Sequence, residues 1–290
     1  MADTRARGGG GALLIFAVSS LAAVSLGTFI SASSDVPTGS WLRNLVAWGV
    51  GLLLAVGLAM TTPGRRVVIM PWIGAAALLM TLFNPDQDGV HRWIDIGPLH
   101  INVAMVVLPA TAVALASAAP RWTAWLPAFL MLGLLVLQPD ASQAAALAGV
   151  MAWIAITRVS GMTTRTGLIA GAVLLAAIAC GRPDPLLPVP EVEGIVGLAF
   201  GLSPWLGGLA LVTLATVAAL PAALTLPVPG TRLAGQALSL CLVLWALAPL
   251  FGAFPVPLVG IGMSPILGAW LGMGLLCARM RSGAASPAPR

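Results

Sequence analysis

Lysine is absent from this 290-residue sequence, and charge of either sign is scarce: fourteen arginines, nine acids and two histidines. Charged residues make up 8% of the chain and hydrophobic ones 59%. A soluble domain carries roughly 25% charged residues, so the sequence lacks the polar shell that a water-soluble fold of this length needs. Its solvent is lipid. The three cysteines, Cys180, Cys241 and Cys277, stand in or at the end of apolar runs without metal-type spacing. That reads as small hydrophobes rather than a disulfide framework. There is no Walker-type loop, dinucleotide fingerprint, zinc cluster or Ser-His-Asp constellation. The net charge of +5 does not indicate nucleic acid, because the arginines are scattered singly between apolar runs instead of clustering.

What is present is a series of apolar runs, at 11–31, 42–61, 67–83, 102–119, 122–137, 141–157, 167–180, 194–223, 233–252 and 258–278. They are continuous rather than alternating, which indicates helices and not a barrel. A spanning helix takes about 17–25 residues, so the expectation is an all-α, polytopic membrane protein of about ten transmembrane helices. A single transmembrane domain over 1–290 is expected, with short tails at 1–10 and 279–290. The first run, behind Arg5 and Arg7, reads as a retained signal-anchor helix. The run at 194–223 is long and holds Gly201, Pro204 and the pair Gly207-Gly208, so a kink is expected there.

Arginine placement sets the orientation. With the N-terminus inside, Arg5, Arg7, Arg65, Arg66, Arg121, Arg158, Arg165, Arg232, Arg279, Arg281 and Arg290 are cytoplasmic, leaving Arg43, Arg92 and Arg182 outside. Both termini are then cytoplasmic. The acids do the opposite: all but Asp3 fall in outer segments, namely Asp35, Asp86, Asp88, Asp95, Asp140, Asp184, Glu191 and Glu193. That distribution points to an outward-facing polar site built from several connections.

The stretch 84–102, NPDQDGVHRWIDIGPLHIN, is the most polar and holds both histidines, His91 and His100. A guanidinium beside an interfacial tryptophan suits a diphosphate, whose oxygens it binds bidentately. Arg92-Trp93 reads equally as a belt tryptophan beside a salt-bridged arginine. Glu191 and Glu193, two residues apart, could raise each other's pKa if brought together, or stand as a solvated surface pair.

Arg92-Trp93-Ile94-Asp95-Ile96-Gly97-Pro98-Leu99 resembles the R-W-I-x-L-G-P motif of the FtsW/RodA/SpoVE family, the SEDS proteins of bacterial cell-wall synthesis. Gln138-Pro139-Asp140 is similar to that family's Q-P-D-L-G-T-A, and Phe254-Pro255-Val256-Pro257-Leu258-Val259 to its L-P-L-P-F-I. The three occur in the family's order and cover nearly the whole chain. The resemblance implies a SEDS-like bundle in the bacterial inner membrane, acting in peptidoglycan synthesis for division or cell shape. It implies a glycosyltransferase that polymerises a lipid-linked disaccharide, lipid II, beside a class B penicillin-binding protein. The family's essential Asp, in H-T-D-F-I-F, corresponds to Glu193, with Glu191 close to the His position. The resemblance makes Glu193 the base or a metal ligand and Glu191 a weaker candidate. Arg92, Trp93, Asp95, Asp140 and Arg182 become substrate-binding candidates, and Mg²⁺ or Mn²⁺ the cation such chemistry could use. The sequence also departs from the family. Met105 stands at an acidic position, Leu108 at a lysine, and Gly260-Ile261-Gly262-Met263-Ser264-Pro265 replaces S-Y-G-G-S-S. The outer loop between Gly181 and Glu193 is short. These departures keep two other readings open: a non-catalytic scaffold for a penicillin-binding protein or divisome component, and a transporter of the lipid-linked precursor.

Overall fold

The computed structural model describes residues 2–64, 66–97, 99–118 and 122–285. Arg65, Arg121 and Arg290, counted above as cytoplasmic, and Pro98 of the first motif lie outside the described residues. Eleven α-helices occur among the described residues: α1 (Ala2–Ala32), α2 (Thr38–Ala59), α3 (Arg66–Thr81), α4 (Val103–Ala118), α5 (Trp122–Leu137), α6 (Ala141–Arg158), α7 (Met162–Cys180), α8 (Ile195–Leu202), α9 (Pro204–Thr225), α10 (Arg232–Leu247) and α11 (Met263–Ala285). Each of the ten apolar runs is helical, and six helices are long and apolar enough to cross a membrane by length and composition. Helices α3, α4 and α5 are shorter, at 16 residues each, so the expected ten crossings are not established on that criterion. The expected terminal tails are largely helix, since α1 starts at Ala2 and α11 continues to Ala285.

Two local departures from the expected all-α pattern have clear causes. The run 194–223 is two helices because Ser203 is extended (φ −168°, ψ 140°) and Pro204 opens α9. A residue before proline is pushed out of the helical region, and Ser203 Oγ accepts from Trp205 N to cap the new helix. The polar stretch before α4 contains an antiparallel hairpin, β1 (Trp93–Ile96) and β2 (Leu99–Asn102), pairing Trp93 with Asn102 and Asp95 with His100. Gly97 sits at its tip with φ +59°, which glycine adopts without a Cβ penalty.

Helix α11 is the centre of the bundle. Its membrane window is 78% buried, whereas no other candidate span exceeds 50%. It packs on α2, α4 and α1. In lipid, tight packing replaces hydrophobic exclusion as the force between helices, so small residues mark the contacts. A Cβ on Gly268 would lie 1.9 Å from Met105 O of α4, and one on Gly51 of α2 would lie 2.4 Å from the Trp270 ring. Trp270 meets Phe16 and Trp48 edge-on, with centroids 5.0 and 5.7 Å apart. Trp125 is buried in this core, while Trp122, three residues earlier, is exposed. Cys241 and Cys277 are buried as expected, but Cys180 is exposed.

The chain's connectivity brings the hairpin, the α5–α6 turn, the α7–α8 loop and the 253–262 segment to one end of the bundle. The described ends of α1 and α11 lie at the other.

Gly268→Leu should therefore destabilise the bundle by about 1–3 kcal/mol or more through overpacking, read as a lower melting temperature of the purified protein in detergent. Gly57→Ala, where a Cβ meets nothing within 4 Å, should leave the melting temperature unchanged or raise it slightly.

Candidate functional site

A cavity of about 380 Å³ opens at the loop end of the bundle. Its wall takes residues from each family-like segment: Arg92 and Trp93, Asp140, Glu193, and Phe254 to Val256. Four structural ties hold these segments in place.

The first is Arg92, whose side chain is nearly buried between the hairpin and the α5–α6 turn. Its Nε donates to Gln138 O at 3.2 Å, and one terminal nitrogen donates to Pro139 O and to Asp184 Oδ2, the latter at 2.7 Å. Asp140 Oδ2 lies 3.8 Å from Nε. One guanidinium thus joins three segments that are far apart in sequence. The second tie is Asp140 itself. It caps α6 by accepting from Gln143 N at 3.4 Å, and it accepts from Ser142 Oγ at 3.2 Å. The preceding Gln138 donates to Leu78 O and Thr81 Oγ1 of α3.

The third tie secures the 256–262 segment. Val256 N donates to Val192 O, and Ile261 N to Glu191 O. Asn44 of α2, 1% exposed, donates to Gly260 O and accepts from Gly262 N, both at 3.0 Å. A Cβ on Gly260 would come within 2.6 Å of Val192 O and Val256 O, so only glycine fits this crossing. Leu258 is held at φ +62° beneath a Val259 N to Pro257 O bond of 2.7 Å, a strained γ-turn. The fourth tie pins the hairpin: Asn102 N donates to Ser264 Oγ at 2.9 Å, and Asn102 Oδ1 accepts from Met105 N at the start of α4.

Glu193 closes the turn ahead of α8. Val189 O accepts from both Val192 N and Glu193 N, while Val189 N donates back to Glu193 Oε2 at 2.6 Å. Burial pushes the Glu193 carboxyl above its ordinary pKa. The hydrogen bonds from Val189 N–H and from its own backbone pull it partly back, and the nearby charges of Glu191 and Asp184 raise it again. A carboxylate so placed is more basic than a solvated one.

The other sequence candidates fall outside the cavity wall. Glu191 contributes its carbonyl to the Ile261 contact and does not line the cavity. Arg182 is exposed just beyond the end of α7. Asp95 pairs with Nδ1 of His100 at 2.7 Å across the hairpin; His100 lines the cavity and Asp95 does not. His91 lies away from the wall, against Asn84 O and Asp86. Sequence reasoning missed Asp184 as the ion-pair partner of Arg92, and Ser142, Gln143 and Ser264 as lining residues. Asp184 carried the one available signal, as an acid that the arginine asymmetry assigns to the outer segments. No group of three or more His, Cys, Asp or Glu among the described residues is arranged to hold a metal ion.

Neither a family model nor a curated protein matches the sequence. Among solved structures, it is similar to the rod shape determining protein RodA of Thermus thermophilus, with TM-score 0.70 and 23% identity over 93% of this chain and 96% of that one. A point mutant of the same protein gives TM-score 0.69 at the same identity and coverage. A chain from a structure described as the coordination of polymerization and crosslinking by a peptidoglycan synthase complex gives 0.63 at 23% identity, over 92% and 97% of the two chains. The fold implied by the three motifs is the fold found: this is a multi-pass membrane protein with the RodA fold along almost its whole length.

Proposed function

We propose that the protein is a SEDS-like glycosyltransferase of the bacterial inner membrane, which polymerises a lipid-linked disaccharide, lipid II, during peptidoglycan synthesis. One observation carries the reading. A half-buried carboxylate of raised basicity, Glu193, stands in the wall of an outer cavity at the position where the SEDS resemblance puts the essential acid. In this reading Glu193 takes the proton of the acceptor sugar hydroxyl as its oxygen bonds to the donor anomeric carbon. The bond from that carbon to the diphosphate breaks, and the lipid diphosphate leaves with the electron pair. Arg92 supplies positive charge to the same wall and holds Asp140 and Asp184 in place. Trp93 offers an apolar face beside it. The carboxylates form no ready metal cage, since Asp140 and Asp184 face Arg92 and Glu193 Oε2 accepts from Val189 N–H. No step is therefore assigned to Mg²⁺ or Mn²⁺. The partner in this reading is a class B penicillin-binding protein, as the motif resemblance implies, and the likeness to a chain of a peptidoglycan synthase complex is in keeping with it.

The scaffold reading is favoured by a different observation. Among the described residues Arg92 is the one arginine on the cavity wall, which also carries Asp140, Asp184 and Glu193. A wall with more negative than positive groups holds a diphosphate poorly. Under this reading the cavity is vestigial and the protein positions its penicillin-binding partner.

Glycan-strand formation from lipid II, with and without a class B partner, separates the two. The parent should polymerise, and Glu193→Gln should lose 10²–10⁴-fold in rate at matched expression, as removal of a general base does. An inactive parent with its partner present establishes the scaffold instead, and an active Glu193→Gln removes the catalytic assignment.

The pH profile gives a second test. A base works deprotonated, so activity should fall on the acid side through the raised Glu193 pKa. Glu191→Gln removes one of the charges that raise it, so this limb should move to lower pH with the plateau rate retained. A limb that stays put assigns the titration to another group.

The cytoplasmic placement of both termini is tested by labelling single cysteines at Gln87 and Val189 in a Cys180→Ala background. Both should react with an impermeant maleimide from the outer face; reaction only from the cytoplasmic face reverses the orientation.

A further inference from the structure

At the end of the bundle opposite the cavity, α1 and α2 separate. They are joined lower down, where Trp48 Nε1 donates to Ser20 Oγ at 3.0 Å. Between that contact and the start of α1 they leave a groove of about 450 Å³. On α1 its wall runs from Gly9 to Ala17, and on α2 from Leu52 to Met60. Eight residues of helix give it a length of about 12 Å. Along that length the wall is entirely apolar, and a guanidinium lies at its end.

That guanidinium belongs to Arg281 of α11, and its placement is specific. The side chain reaches across Gly9, where a Cβ would lie 3.1 Å from Arg281 Cγ. One terminal nitrogen donates to Ala59 O near the end of α2 at 2.9 Å. Among the described residues Ala59 O is the hydrogen-bond partner of this guanidinium, and the residue itself remains exposed. Arg5 and Arg7 precede Gly9 along α1, so the basic character of this end is also written in the sequence. The protein leaves the groove unfilled, because a Cβ on Gly10 would meet nothing within 4 Å.

An apolar slot about 12 Å long that ends in a cation matches a molecule with a hydrocarbon chain joined to an anion. We propose that this groove is a binding site for an anionic glycerophospholipid, with one acyl chain between α1 and α2 and the phosphate on Arg281. The chain replaces the missing side-chain contacts at Gly10, and the headgroup places its negative charge on the guanidinium. A zwitterionic lipid fills the slot but carries no net charge for the arginine. The site is therefore selective by headgroup. It is independent of the outer cavity and of any activity there.

The experiment is native mass spectrometry of the purified, delipidated full chain, supplied with equal amounts of phosphatidylglycerol and phosphatidylcholine. The parent should retain phosphatidylglycerol in preference, and Arg281→Gln should reduce that preference by about fivefold, the effect of one surface arginine. Gly10→Phe should reduce retention of both lipids, since the ring enters open space within the groove. Should that variant fail to fold, Leu14→Trp tests the same filling. Arg232→Gln, which removes a guanidinium bonded to Leu226 O outside the groove, should leave the preference intact. Equal retention of the two lipids by the parent overturns the proposal. So does an Arg281→Gln protein that keeps its preference, or an Arg232→Gln protein that loses as much.

Discussion

One buried cation organises the loop-rich end of this molecule. Arg92 is nine-tenths removed from solvent, and a guanidinium there carries a large desolvation cost unless its donors are used. The sequence meets that cost with two carbonyls from the 138–139 turn and with the carboxylates of Asp140 and Asp184. The partners come from two connections and the arginine from a third, so satisfying it also fixes the hairpin, the start of α6 and the strap after α7 relative to one another. Glu193 then lies at the end of that strap. Its placement is constrained by the Asp184 contact nine residues earlier and by the bonds of Glu191 and Val192 to the 256–261 segment. Neutralising one charge thus helps to shape the cavity, and a site so tied is pre-organised.

Much of the helical pattern is legible in the sequence, because the apolar runs are continuous and the polar breaks fall between them. The cap at Asp140 and the start at Ser203-Pro204 are local chemistry and readable in principle, although the high hydropathy of 194–223 conceals the second. What could not be read is which apolar face is inside. Lipid tails are as apolar as leucine, so hydropathy gives Trp122 and Trp125 the same score, and only packing makes one exposed and the other buried. The site was legible where a motif carried it, at Arg92-Trp93, Gln138-Pro139-Asp140 and Phe254 to Val256. It was opaque where long-range pairing carried it. The Arg92–Asp184 pair spans 92 residues, and the Asn44 clamp on Gly260 spans 216. No local pattern announces either contact. Asp95 and Arg182 show the converse, for both lie in connections at the cavity end of the bundle and neither reaches the wall.

The two ends of the bundle solve different problems with the same few charged residues. At the cavity end, Arg92 is consumed by protein acids and carbonyls, and the polar lining of Asn102, Ser142, Gln143 and Ser264 surrounds a concave space. At the opposite end, Arg281 bonds to the Ala59 carbonyl and has an apolar slot beside it. Between them the span interiors contain almost no charge, as a low-dielectric solvent requires.

The central position of α11 has a consequence for how the molecule is built. It is the most buried of the six candidate spans, yet in chain order it follows every helix that it touches. During synthesis α1, α2 and α4 must enter the bilayer with their small-residue faces unoccupied, around a vacancy that lipid fills for a time. The ring around Trp270 closes only when the final span leaves the insertion machinery. Assembly of the bundle is then governed by expulsion of lipid from that slot rather than by the insertion of the earlier helices, and a chain truncated before α11 would be inserted without being folded.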